Sequence, residues 1–286
     1  MSYVIQLSDR SFIIVDGGTN TDNNKATLYN YIKSRTPEGT KPEIACWFIT
    51  HTDEDHIGLA TAFIKEYKND IIVKKFAYNF PDPSELMSTV DNVGGGGKGN
   101  GTPDAYEGAK KKGEAFVSAI ASSFPKAEIL TPTTGNRYGF NGVSAEILMT
   151  SDDNGVELYI ANDASVVIRF TFENSGKTFL VLGDLQDRGG DEGVSNCTLL
   201  AEIYSTGLKS DVLQVTHHGL YGGCVALYEN ITPSICLWST PYDTIASKGY
   251  TSKDFNKYLW NLSGSEHYYS SETVTLVMGN QITIDK

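Results

Sequence analysis

ITHTDEDHIG, Ile49–Gly58, sets two histidines around three acids within six residues, His51 to His56. A charged turn after a strand has this composition, and so does one side of a metal site. The four side chains His51, Asp53, Asp55 and His56 cannot share one face of a strand or a helix. On a tight loop they can surround one or two ions. Imidazole nitrogen and carboxylate oxygen both suit borderline divalent cations.

Working outward, Glu43–Thr50 reads as a buried strand that delivers this loop, and Leu59–Tyr67 has the apolar spacing of a helix. Upstream, strands at Tyr3–Leu7 and Phe12–Val15 flank a turn at Ser8–Ser11, and the second runs into Asp16-Gly17-Gly18. A helix follows at Ala26–Ser34, then the loop RTPEGTKP, and Ile71–Tyr78 reads as one further strand. The segment after Pro81 carries four consecutive glycines, Gly94–Gly97, and 94–101 reads as a mobile surface loop. It is not a phosphate loop, because Lys98 is followed by Gly99 where Ser or Thr is required. A helix over Ala105–Ser123 closes the first half.

The second half predicts strands at Glu128–Thr131, Ser144–Met149, Ser165–Glu173 and Thr178–Leu182, with ENSG as a hairpin turn between the last two. A helix at Thr198–Thr206 precedes the strand Asp211–Thr216, which runs into His217-His218. Then come a helix at Val225–Ile231, the strand Ile235–Trp238, a helix at Ser252–Leu262, and strands at Thr273–Val277 and Gln281–Ile284. Residues 1–286 therefore read as one α/β domain of two sheets with helices outside. Four polar clusters sit just past strand ends: Asp16, His51–His56, Asp184 and His217-His218. Loops leaving one edge of an α/β layer converge on a common crevice.

The bulk properties narrow the function. The chain has 286 residues, 40% of them hydrophobic and 20% charged, which suits a soluble globular protein. Its apolar runs are strand-length, so none spans a membrane, and its N-terminus lacks the pattern of a signal peptide. A cytoplasmic location is the expectation. The four cysteines lack CxxC spacing and read as buried free thiols. A net charge of −12 argues against tracking a long polyanion. An anionic substrate stays possible, since two divalent cations add about +4 within a site.

The motif THTDEDHIG resembles the signature His-x-His-x-Asp-His of the metallo-β-lactamase superfamily, with Asp53 in place of the second histidine. The form His-x-Asp-x-Asp-His is similar to that of the ComEC-like, competence-type branch. NDASVVIRF followed by GKTFLVLGD resembles that branch's Asn-x-x-Ser strand and Gly-Asp motif. DVLQVTHHG resembles its strand ending in His-His-Gly, and SFIIVDGG the early strand and Asp of the superfamily. Together these cover roughly residues 1–220. The resemblance implies an αββα sandwich, two mixed sheets packed face to face, with a metal site at one edge. Carried over residue by residue, it assigns His51 and Asp53 to a first cation and Asp55 and His56 to a second. Asp184 bridges both, one of His217 and His218 completes the second site, and Asp16 supports the cluster.

One departure stands out. No histidine lies between His56 and His217, and Asn162 or Ser165 falls near the place of the superfamily's third-motif histidine. The first site is then oxygen-rich, which shifts preference from zinc toward manganese or magnesium. One or two zinc or manganese ions are the implied cofactor. Such a centre suits hydrolysis of a phosphodiester, either a small molecule or nucleic acid, with Asp55 orienting or deprotonating water and His218 bonding an anionic substrate. The ligand set departs from that of antibiotic-hydrolysing members. The missing histidine also motivates an alternative, a metal-poor family member acting as a non-catalytic binding or scaffold protein. His267 reads as a surface or partly buried histidine, and Tyr258, Trp260, Tyr268 and Tyr269 around it as packing.

Overall fold

A computed structural model describes residues 1–81, 103–158, 160–187, 195–270 and 273–285. The glycine-rich loop expected at 94–101 lies outside the described residues. The chain divides into two compact units, Met1–Thr133 with Tyr159–Val166, and Thr134–Leu158 with Val167–Lys286. Each holds one large sheet and its own apolar core, so the α/β class and the two mixed sheets are both present.

In the first unit the sheet runs β1 (Tyr3–Gln6), β2 (Phe12–Val15), β3 (Glu43–Ile49), β5 (Lys75–Tyr78) and β6 (Glu128–Leu130), with the short β4 (Ile72–Val73) also paired to β3. The β1–β2 hairpin is antiparallel and the other pairings are parallel. Its turn is closed by Asp9, whose Oδ1 accepts from both the amide and the hydroxyl of Ser11 at 3.0 and 2.6 Å. EIACWFI makes β3 a near-continuous apolar run, in which Ile44 and Cys46–Ile49 are buried. Helices α1 (Asp22–Ser34), α2 (Leu59–Glu66) and α3 (Pro103–Ser123) share one core with its Ile44, Trp47 and Ile49. Thr21 caps α1 by accepting from the Asn24 amide at 3.1 Å. Phe12, Ile14, Trp47, Phe63, Phe76 and Phe116 fill the core, each worth roughly 2–3 kcal/mol of burial. The single strand expected over Ile71–Tyr78 is two, because each pairs with a different stretch of β3.

The second unit carries seven strands in the order β13-β12-β11-β10-β9-β8-β7. These are β7 (Arg137–Phe140), β8 (Val143–Met149), β9 (Val167–Phe172), β10 (Lys177–Val181), β11 (Val212–Gln214), β12 (Ile235–Trp238) and β13 (Glu266–Tyr269). From β7 to β10 the pairing is antiparallel, and from β10 to β13 it is parallel. The ENSG turn forms as expected, with Phe172 opposite Lys177. Helices α4 (Asn196–Ile203), α5 (Val225–Ile231), α6 (Tyr242–Ser247) and α7 (Asp254–Asn261) pack on this sheet or on one another, and β14 (Thr275–Met278) pairs with β15 (Ile282–Asp285).

Three elements escape the sequence reading. The strands RYGF and EHYY (β7 and β13) lie at the two edges of the sheet and lack an apolar run, and α6 is less than two turns long. The strand expected from Ser165 begins at Val167, because 161–164 form a tight helical turn closed by Asp163, whose Oδ2 accepts from the Ile160 amide at 2.8 Å. Cys46, Cys197 and Cys236 are buried free thiols, as expected, while Cys224 is half-buried. Among the described residues no helix is long and apolar enough to cross a membrane.

Candidate functional site

Parallel pairing brings chemistry to the strand ends of each unit. In the first, β2 and β3 run side by side with Val15 opposite Phe48, so the residues after them leave the same sheet edge. Asp16 follows β2 and Thr50-His51 follow β3. Asp16 is fully buried in a left-handed conformation, φ 56°, which aspartate tolerates better than most residues. Its Oδ1 accepts from the Thr50 amide at 2.8 Å, and its Oδ2 accepts from the Thr50 hydroxyl at 2.8 Å. The same Oδ2 lies 2.8 Å from His56 Nδ1. Burial alone pushes this carboxyl up. The charge and hydrogen bond of His56, then His51 and the Thr50 amide, outweigh it and hold the group below the usual carboxylate range. Asp16 therefore stays an anion.

The sequence TDEDHIG forms a wide helical turn over Glu54–Gly58, in which Asp53 O accepts from the amides of His56 and Ile57, both at 2.9 Å. That turn swings His56 back over β3, where its ring lies 4.0 Å from the ring of His51. His51 Nδ1 lies 3.0 Å from the Thr50 hydroxyl and 3.4 Å from Ser165 Oγ. With both Nδ1 atoms turned toward oxygen partners, the Nε2 atoms point to the acids. His51 Nε2 is 3.9 Å from Asp53 Oδ2, and His56 Nε2 is 3.9 Å from Asp55 Oδ2. These spans are too long for hydrogen bonds.

In the second unit β10 and β11 are parallel, Val181 opposite Gln214, and again the residues past their ends share an edge. Asp184 and His217-His218 occupy it. Asp184 Oδ2 lies 3.1 Å from His218 Nε2 and 3.9 Å from His217 Nε2. His217 Nδ1 is 3.0 Å from Gln186 Oε1, so that nitrogen carries the proton and Nε2 keeps its lone pair. Backbone strain is concentrated here: His217, His218 and Gly219 are all left-handed, with φ 45°, 58° and 75°. A non-glycine residue pays about 1–2 kcal/mol for that conformation. Gln214 holds the strained turn in place. Its Oε1 accepts from the Leu182 amide at 2.8 Å, and its Nε2 donates to Gly183 O and Val215 O at 2.9 and 2.8 Å. Asn256 Nδ2 donates to Gly219 O at 2.7 Å.

Of the residues singled out in the sequence, Asp16, His51, Asp53, Asp55, His56 and Ser165 gather in the first unit, and Asp184, His217 and His218 in the second. Asn162 is buried in the first unit, in the turn that leads to Ser165. Sequence reasoning missed Thr50, Gln186 and Gln214, which orient the others. Gln214 was detectable as a lone polar residue inside the apolar strand DVLQVT, whereas Thr50 and Gln186 have no distinctive spacing.

His267 belongs to neither cluster. Its Nδ1 accepts from Trp238 Nε1 at 3.0 Å, so the neutral ring carries its proton on Nε2, 3.1 Å from Ser265 Oγ. Burial lowers its affinity for a proton below the ordinary value of 6.5. In the unfolded chain the ring protonates near that value, so just below it the unfolded state binds more protons and stability falls as pH falls. The variant His267→Gln keeps an acceptor for Trp238 and has nothing to titrate. Urea denaturation between pH 7 and pH 5 is expected to show a shallower loss of stability for it than for the wild type. Equal slopes would remove His267 from the acid sensitivity.

Residues 1–231 match the family model described as the metallo-beta-lactamase superfamily. No curated protein matches the chain. Among solved structures, a Cronobacter sakazakii metallo-beta-lactamase with a HARLDQ motif is 15% identical, over 74% of this chain and 69% of that one, with a TM-score of 0.43. The metallo-beta-lactamase fold protein YhfI from Bacillus subtilis is 10% identical, over 94% and 88%, with a TM-score of 0.46. CmlA, a diiron beta-hydroxylase from Streptomyces venezuelae, is 10% identical over 80% of this chain and 41% of that one, with a TM-score of 0.43.

Proposed function

The chain belongs to the metallo-beta-lactamase superfamily of metal-dependent hydrolases, and from that premise we propose that it is a divalent-cation-dependent phosphodiesterase of the ComEC-like branch. One observation carries the reading. All four imidazoles of the two clusters turn Nε2 toward a carboxylate oxygen, at 3.9, 3.9, 3.9 and 3.1 Å, and for three of them Nδ1 meets an oxygen partner. That is the arrangement of metal-ligating histidines oriented by outer partners. The donor set therefore fits a cation.

In this reading the two clusters serve one centre that binds one or two zinc or manganese ions. His51 and Asp53 would hold a first cation, Asp55, His56 and one of His217 and His218 a second, and Asp184 would contribute to both. Asp16 fixes the tautomer of His56. No third-motif histidine joins His51, Asn162 or Ser165 standing near its place, which leaves the first site rich in oxygen and favours manganese there. A divalent cation so held supplies Lewis acidity to a phosphoryl oxygen and to water. Asp55 accepts the proton of the attacking water, and His218 donates a hydrogen bond to the substrate anion. The charge of −12 favours a small phosphodiester over a long nucleic acid.

Protein incubated with manganese or zinc and freed of excess metal is expected to retain one or two ions per chain, by elemental analysis, and to hydrolyse bis-p-nitrophenyl phosphate. Chain that retains no metal would overturn the enzyme reading in favour of a non-catalytic binding protein. Metal retention without phosphodiester turnover would keep the centre and discard the substrate class.

A further inference from the structure

The loop that follows the paired histidines, HHGLYGG, places an aromatic ring where packing gives no reason for one. Tyr221 is 54% exposed, and its ring centroid lies 5.3 Å from that of His217. Tyr250 meets it edge-on, with ring centroids 4.9 Å apart and planes at 73°. The loop cannot fold this ring away. A Cβ on Gly219 would lie 2.4 Å from the Trp238 ring, and one on Gly222 would lie 2.1 Å from Gln186 Cβ. Gly222 O also accepts from the Asp187 amide at 2.6 Å. Both glycines are left-handed, so the backbone on either side of Tyr221 is pinned by close approach as well as by conformation. The consequence is an open aromatic surface on a rigid loop, beside a histidine of the candidate centre.

We propose that Tyr221 is a specificity-determining residue that stacks the nucleobase of a nucleotide ester whose phosphate lies at His217 and His218. The inference rests on the phosphodiester reading above and names its substrate class. An exposed tyrosine held by a second tyrosine presents a fixed π-face, and stacking on such a face is tolerant of which base is offered. The sequence carries no long basic tract to follow a polynucleotide, so one base next to the reacting phosphate is the recognised unit.

The test compares two ligands that share a phosphate and differ in the base. Adenosine 5′-monophosphate and ribose 5-phosphate are titrated by calorimetry into manganese-loaded wild type, Tyr221→Ala and Tyr221→Phe. The wild type is expected to bind the adenosine compound more tightly. Tyr221→Ala should lose about 5- to 150-fold of that affinity while its binding of ribose 5-phosphate is unchanged. Tyr221→Phe keeps the ring and should stay within about twofold of wild type. Equal wild-type affinity for both ligands overturns the proposal, as does an equal loss for both in Tyr221→Ala, or a loss in Tyr221→Phe as large as in Tyr221→Ala. If neither ligand binds although metal is retained, the phosphoester reading itself fails and takes this proposal with it.

Discussion

Asp184→Asn is expected to lower phosphodiester turnover by about three orders of magnitude and to reduce the metal retained per chain. The side chain is 2% exposed and lies 3.1 Å from His218 Nε2. Asparagine keeps its volume and one acceptor oxygen, so the far-ultraviolet circular dichroism of the variant should match that of wild type. What disappears is the negative charge that two imidazoles face. A cation that has lost one of its carboxylate charges binds less tightly and stabilises less transition-state charge, a loss of several kcal/mol. At 1.36 kcal/mol per tenfold, about 4 kcal/mol is the expected factor. Unchanged occupancy together with unchanged hydrolysis of bis-p-nitrophenyl phosphate would remove Asp184 from the proposed centre.

Asp16→Asn should weaken cation binding without removing any proposed ligand. The left-handed backbone at this position, φ 56°, suits asparagine as well as aspartate, so the substitution tests the carboxylate alone. Its Oδ2 meets both His56 Nδ1 and the Thr50 hydroxyl, and an amide nitrogen in that place offers a donor to a donor. His56 then has reason to turn its proton to Nε2, the atom facing Asp55. Loss of such an outer partner costs 10- to 100-fold in metal affinity. Raising the manganese concentration should restore most of the turnover, which separates weakened binding from a misfolded chain. If the metal dissociation constant stays at the wild-type value, Asp16 serves the fold only.

The residues of the proposed centre were legible because chemistry constrains residue type. His51, Asp53, Asp55 and His56 have few other reasons to crowd into one turn, and Asp16, Asp184 and the histidine pair stand out at the ends of apolar strands. The residues that orient them were not legible. Thr50 acts through its own amide and hydroxyl, and a threonine after a strand is common. Gln186 matters because Gly222 packs against it, a contact set by topology. The left-handed run at 217–219 leaves a glycine only at its third position, so composition conceals the strain in the first two. Edge strands failed for a related reason. Among the described residues EHYY pairs with β12 alone and buries too little to show an apolar pattern, although His267 and Tyr269 tie it to Trp238 and Trp260.

Gln214 has a consequence for spacing. Past Val181 and Gln214 the ladder between β10 and β11 ends, and the gap is bridged by a side-chain carboxamide that bonds Leu182, Gly183 and Val215. The amide group imitates a peptide unit inserted between two diverging chains. The distance between the turn bearing Asp184 and the turn bearing the histidines is thus measured out by the length of one glutamine. Asparagine, a single methylene shorter, has the same chemistry and the wrong reach.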